Sequence, residues 1–168
     1  MKKNIFSVLM LLLMNLAVCA QVKQNRDNLP IDLNIKLKRC VVSGNQGYID
    51  LIVTNNTGYP ISDVFVLPYN GNVKYSETVA YDDEGNVYFF KQNGNGIKEI
   101  TVGGKGNGGL YSALPEEVPV KVRIELQGVS EFATEFTMLN MIFRGDLTPN
   151  KTQDGSVTFR NIPITRVE

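Results

Sequence analysis

The chain has 168 residues, 43% of them apolar and 20% charged, with 17 Lys and Arg against 17 Asp and Glu, no histidine, no tryptophan and two cysteines. Without an imidazole, Ser-His-Asp and Cys-His nucleophilic arrangements and the usual His/Cys zinc sites are excluded. The balanced charge, spread along the chain, argues against a nucleic-acid partner and against adsorption to an acidic membrane surface.

The first elements belong to export and not to a folded domain. Lys2 and Lys3 form a basic start, Ile5 to Val18 is an almost unbroken apolar run, and Val18-Cys19-Ala20 supplies small residues before Gln21. This reads as a secretory signal peptide over 1–20. The run is shorter than the roughly 20 apolar residues a membrane-spanning helix needs, so no transmembrane span is expected. Leu16-Ala17-Val18-Cys19 also resembles a bacterial lipoprotein box, which leaves a second cut open, with a lipid anchor on Cys19. The reading is therefore of an exported protein, periplasmic or secreted, with an envelope-anchored form as the alternative.

Cutting before Gln21 leaves 148 residues, one domain's worth and long enough to bury a core without staples. Taking Lys2 and Lys3 away leaves 15 basic residues against 17 acidic ones. Cys40 is then the one thiol, so no intramolecular disulfide forms, and its place at the end of an alternating run predicts a buried, inert side chain.

In chain order, 21–30 is polar and aperiodic and reads as a loose leader to a single domain over 31–168. Ile31, Leu33, Ile35 and Leu37 alternate with polar residues, Ser43 to Gly47 makes a turn, and Ile49, Leu51 and Val53 return on one face, a β-hairpin. Val64 to Leu67 is a short strand, Asn70-Gly71 a tight turn into Val73 to Tyr81, and Asp82 to Asn86 a further turn before Val87 to Phe90. Asn93 to Gly96 leads to a run from Ile97 to Val102, and the glycines of 103–109 form a connection whose order does not fit a phosphate-binding loop. From Val118 to Gln127, Val120, Val122, Ile124 and Leu126 alternate with Lys121, Arg123, Glu125 and Gln127, the pattern of a half-buried strand at the centre of the fold. Ser130 to Glu135 has room for one helical turn, Phe136 to Phe143 is a strand, 147–155 a polar loop, and Ser156 to Ile164 a closing strand with Pro163 suited to an edge or end. About nine short strands, turn clusters between them and no long amphipathic helix predict an all-β protein, an antiparallel β-sandwich of immunoglobulin-like type, with a barrel as the competing closure.

Asn55-Asn56-Thr57 after the second strand, Tyr81-Asp82-Asp83-Glu84-Gly85-Asn86, and Leu114-Pro115-Glu116-Glu117-Val118-Pro119 leading through the central strand to Gln127-Gly128-Val129 together resemble small secreted immunoglobulin-like domains of bacterial envelopes. The resemblance implies export and a sandwich fold, and no catalytic residue comes with it.

Candidate sites are few. Asp82, Asp83, Glu84 and Asn86 are the densest group of oxygen ligands and the candidate metal site, of calcium type, although their spacing departs from the twelve-residue calcium loop and Asp, Gly and Asn also suit a hairpin turn. Tyr59 and Tyr69 lie in turns and are the candidate binding residues. Asp50, Glu116, Glu117 and Asp146 are the carboxylates a glycosidase would have to pair across a cleft. Asn55-Asn56-Thr57 and Asn150-Lys151-Thr152 match the glycosylation triplet, which matters only in a eukaryotic secretory host. No cofactor is implied. The expectation is a non-enzymatic exported module that binds another envelope or extracellular protein through its loops or a sheet edge, with a glycan- or calcium-binding module using the loops at one end as the alternative.

Overall fold

A computed structural model describes residues 22–62, 65–66, 78–90, 94–104, 106, 114–148 and 151–168. The signal segment with Cys19, Tyr69, the Asn70-Gly71 turn, most of the 103–109 connection and Asn150 lie outside them.

Among the described residues the chain is all-β, with eleven strands where about nine were expected: β1 (Lys23–Asp27), β2 (Leu33–Ser43), β3 (Gln46–Asn55), β4 (Phe65–Val66), β5 (Val79–Asp82), β6 (Val87–Phe89), β7 (Gly96–Val102), β8 (Val120–Gln127), β9 (Glu135–Thr148), β10 (Lys151–Pro163) and β11 (Thr165–Val167). Six form one sheet in the order β1-β10-β9-β5-β6, with β4 also paired to β9, and five form a second in the order β11-β2-β3-β8-β7. All pairings are antiparallel except β11 with β2. The chain passes between the sheets at Ile164, whose N–H donates to the Thr134 carbonyl at 2.9 Å. Pro163 ends β10, where its missing donor costs no ladder bond.

The period of two holds along β3 and β8 and along the start of β2, while Ile31 lies before β2 and is exposed, and an irregularity after Leu37 moves the inward positions of β2 to Cys40 and Val42. Leu33, Ile35 and Val42 of β2, Ile49, Leu51 and Val53 of β3, and Val122, Ile124 and Leu126 of β8 face one core, which they share with Leu139, Met141 and Phe143 of β9 and Val157 and Phe159 of β10. Cys40 is buried in that core as a free thiol. Tyr88 of β6 meets Phe136 edge to face, with centroids 5.6 Å apart. Gly44, at φ +55°, takes the left-handed position of the β2–β3 turn, which glycine occupies at little cost.

Three local expectations change. The stretch read as a loose leader contains β1, an edge strand paired with β10 from Lys23↔Arg160 to Asp27↔Ser156. Its five residues are all exposed, so no face is apolar and no periodicity betrays it. It is anchored behind by Leu29, which packs against the core and approaches Gly155 so closely that a Cβ there would lie 2.6 Å from Leu29 Cδ2. The polar stretch 147–155 is largely strand: β9 and β10 extend into it, with Arg144 bound bidentately to Asp154 at 2.6 and 2.8 Å, so polar residues there form cross-strand pairs instead of a loop. Ser130 to Glu135 makes a turn in which Ala133 N–H donates to the Ser130 carbonyl at 3.3 Å and Phe132 N–H to Ser130 Oγ at 3.2 Å, and no helix forms.

Candidate functional site

The side of β3 turned away from the core carries Tyr48, Asp50 and Ile52, because Ile49, Leu51 and Val53 take the inward positions. β3 lies between β2 and β8, and the register sets Arg39 and Arg123 on either side of Asp50, and Lys36 and Lys121 on either side of Ile52. An irregularity between Leu37 and Arg39 re-aims the β2 side chains at that point and brings Arg39 level with Asp50.

Asp50 faces outward yet is only 2% exposed, since basic side chains lie across it. Its Oδ1 accepts from Arg123 Nε at 2.7 Å, and its Oδ2 from Arg39 Nε at 2.9 Å and Arg123 Nη2 at 3.0 Å, with Lys121 Nζ 3.3 Å away. Arg123 also lies over the Tyr48 ring, 5.0 Å from its centroid. The hydrogen bonds from Arg123, opposed by burial and reinforced by Arg39 and Lys121, hold the Asp50 carboxyl well below the usual carboxylate range. The Asp50 bond raises Arg123 in turn. One permanent anion thus orders three cations, which stay 57% (Arg39), 47% (Lys121) and 33% (Arg123) exposed. The next row of the same face is different in sign, with Glu99, and with Glu125 accepting from Lys98 Nζ at 3.0 Å. With its carboxylate committed to the donors of Arg123, Arg39 and Lys121, the cluster suits electrostatic recognition and not acid–base chemistry.

The residues singled out from the sequence are placed as follows. Asp82 is buried, and its carboxylate accepts from Glu84 N–H (3.0 Å), Asn86 N–H (2.8 Å), Asn86 Nδ2 (2.9 Å) and Tyr88 Oη (2.7 Å). Asp83 turns the other way and accepts from the Thr134 N–H and hydroxyl. Asp82 is thus spent on fixing the turn and Asp83 on tying it to Thr134, and among the described residues no group of three or more Asp, Glu or Cys is placed to hold a metal ion. Tyr59 donates its hydroxyl to the Leu147 carbonyl at 3.0 Å and is half-buried, tying its loop to β9. Asp50 and Asp146 sit on different sheets, and Asp146 accepts from the Ser62 and Thr152 hydroxyls at 2.6 Å each.

Asn55 is fully buried. Its Nδ2 donates to the Tyr59 and Leu114 carbonyls at 2.9 and 3.0 Å, and its Oδ1 accepts from Thr57 N–H and Oγ1 at 3.1 and 2.7 Å. The triplet beginning at Asn55 is therefore a structural knot whose amide has no hydrogen left for a sugar.

On the other sheet, a polar groove of about 270 Å³ is lined by Asp27, Asn28, Asn140, Ile142, Asp154, Gly155 and Ser156. Among the described residues no helix is long and apolar enough to cross a membrane. Compared with known proteins, the chain matches no protein family, no curated protein and no solved structure.

Proposed function

We propose that this protein is an exported, non-enzymatic binding module of immunoglobulin-like sandwich type, which engages another envelope or extracellular protein through the outer face of its five-stranded sheet. The observation that carries the reading is the cluster at Asp50, where three cations are ordered on an open sheet face around a single carboxylate and leave a fixed surplus of positive charge. A group held in place before binding loses less side-chain entropy on contact, which suits recognition. A chain without histidine, whose best-defined carboxylates are committed to arginines, hydroxyls and turn amides, offers no general base of the usual kind. This supports a face that binds over a site that reacts.

Native mass spectrometry of the protein taken from its own cell envelope tests the reading, since it reports the mature N-terminus, any lipid on Cys19 and any bound partner together. A stoichiometric protein partner is expected. A protein that flies alone carrying a sugar or metal would replace this reading with the second one, a small-ligand module, for which the groove beside Asp27 and Asp154 is the supporting observation. That second reading predicts a rise in unfolding temperature with soluble glycan or calcium.

A further inference from the structure

Beyond Asp50, the register places a fourth cation on the same face. Lys36 and Lys121 flank Ile52 in one row, and Arg39 and Arg123 flank Asp50 in the adjacent row. Strand spacing sets the two members of each row about 10 Å apart, and the two rows lie about 7 Å apart along the strands. The result is a rectangle of four cations with one carboxylate and one aliphatic side chain inside it. Lys36 is exposed, and no ion pair to it occurs among the described residues. Ile52 is half-buried inside the rectangle and gives it an apolar centre, and Tyr48 and Val41, also half-buried, lie in the next row of the face beside Glu125.

We propose that this face is a docking surface for an acidic segment of a protein, one presenting carboxylates about 7 to 10 Å apart, the spacing of alternate residues on an extended strand or of facing residues two strands apart. The inference rests on the binding-module reading and adds the chemistry of the partner. Charge complementarity selects an anionic occupant, because three of the four cations surround the one acid of the rectangle. The apolar centre selects a protein among anionic occupants: an interface between proteins pairs a desolvated apolar centre with a charged rim, whereas a phosphate-rich membrane surface or a uronate polymer gains little from Ile52. The acidic row at Glu99 and Glu125 then sets orientation, since a uniformly acidic segment is repelled when it slides towards it.

The test is a titration of the exported protein with poly-L-glutamate, followed by calorimetry at low and at physiological ionic strength. The wild type is expected to bind and to weaken about tenfold as salt rises from roughly 50 to 200 mM, as screening of a few desolvated ion pairs requires. Lys36→Glu combined with Lys121→Glu is expected to abolish binding while the far-ultraviolet spectrum stays that of the wild type, the carboxylate brought beside Asp50 lowering the unfolding temperature without unfolding the protein under the conditions of the titration. Lys23→Glu combined with Arg160→Glu makes the same change in net charge on the six-stranded sheet and should leave binding within about twofold, since those charges lie beyond a Debye length. If the first double variant does not fold, Lys36→Gln with Lys121→Gln replaces it, with a several-fold loss expected. No binding by the wild type, equal losses in both double variants, or tight binding to phosphatidylglycerol vesicles or alginate with none to poly-L-glutamate would overturn the proposal. A partner found in the envelope and retained by the Lys36→Glu, Lys121→Glu variant would also overturn it and would leave the binding-module reading standing. Absence of any partner removes that reading instead.

Discussion

Replacing Asp50 by asparagine removes the charge that gathers Arg39, Lys121 and Arg123 and keeps the volume. Breaking a fully buried ion pair strands its partner and costs about 3 to 5 kcal/mol. Here the cations are 57%, 47% and 33% exposed and can turn to water, so the cost falls to about 2 kcal/mol at pH 7. The pH dependence follows from Asp50 being held low in the folded state. Between its folded and unfolded values the unfolded chain binds more protons, so the stabilisation is complete above the unfolded value near 4 and is lost as pH falls through that interval. At about 1.4 kcal/mol per pH unit, going from pH 7 to pH 2.5 removes about 2 kcal/mol, and the wild type and Asp50→Asn should converge. Urea unfolding of both proteins at the two pH values measures this, with an unchanged denaturant slope confirming that midpoints report stability. A variant as stable as wild type at pH 7, or a gap of the same size at pH 2.5, would refute the electrostatic account of the cluster.

Other substitutions probe the supporting structure. Asn55→Ala leaves the Tyr59 and Leu114 carbonyls without their donor in a buried site and should lower stability by about 2 to 4 kcal/mol, read from the urea midpoint. Tyr88→Phe removes the 2.7 Å bond to the buried Asp82 carboxylate while keeping the contact with Phe136, and a loss of about 1 to 3 kcal/mol is expected in thermal unfolding. Burial pushes the Cys40 thiol up to about 12, so iodoacetamide at pH 8 should leave its peptide unmodified in the native protein and alkylate it fully in guanidinium, as peptide mass spectrometry would show. Rapid native alkylation would place Cys40 outside the core.

The fold was legible wherever one face of a strand is apolar. β3 and β8 follow the period of two residue by residue, whereas β2 follows it only to Leu37, after which the irregularity moves the inward positions to Cys40 and Val42. β1 was not legible, because an edge strand exposed on both faces is held by backbone pairing that leaves no mark on side-chain choice. The polar ends of β9 and β10 were hidden for a related reason: Arg144, Asp146, Thr152 and Asp154 have the composition of a loop, and only their pairing across the strands makes them sheet. The site was legible in parts only. Asp50 stands as the one acid on the outward side of its strand, and Lys121 and Arg123 mark the polar side of theirs. What joined them was register, which the alternation leaves open, and an irregularity at Leu37 that moves Arg39 into place. Asp82 and Asp83 stood out more strongly as an oxygen cluster, yet the Asp82 oxygens answer the turn's own donors and those of Asp83 answer Thr134.

The central claim is that the five-stranded sheet meets a partner with its outer, cationic face. Amine-reactive cross-linking in intact cells, followed by peptide mass spectrometry, addresses it most directly, because Lys36 and Lys121 lie on that face and Lys23 on the opposite sheet. Cross-links from Lys36 and Lys121 to one acidic protein, lost in the Lys36→Gln, Lys121→Gln variant as the partner's recovery falls, are the predicted result. Cross-links to a partner confined to Lys23 on the opposite sheet, with recovery unchanged in that variant, would contradict it.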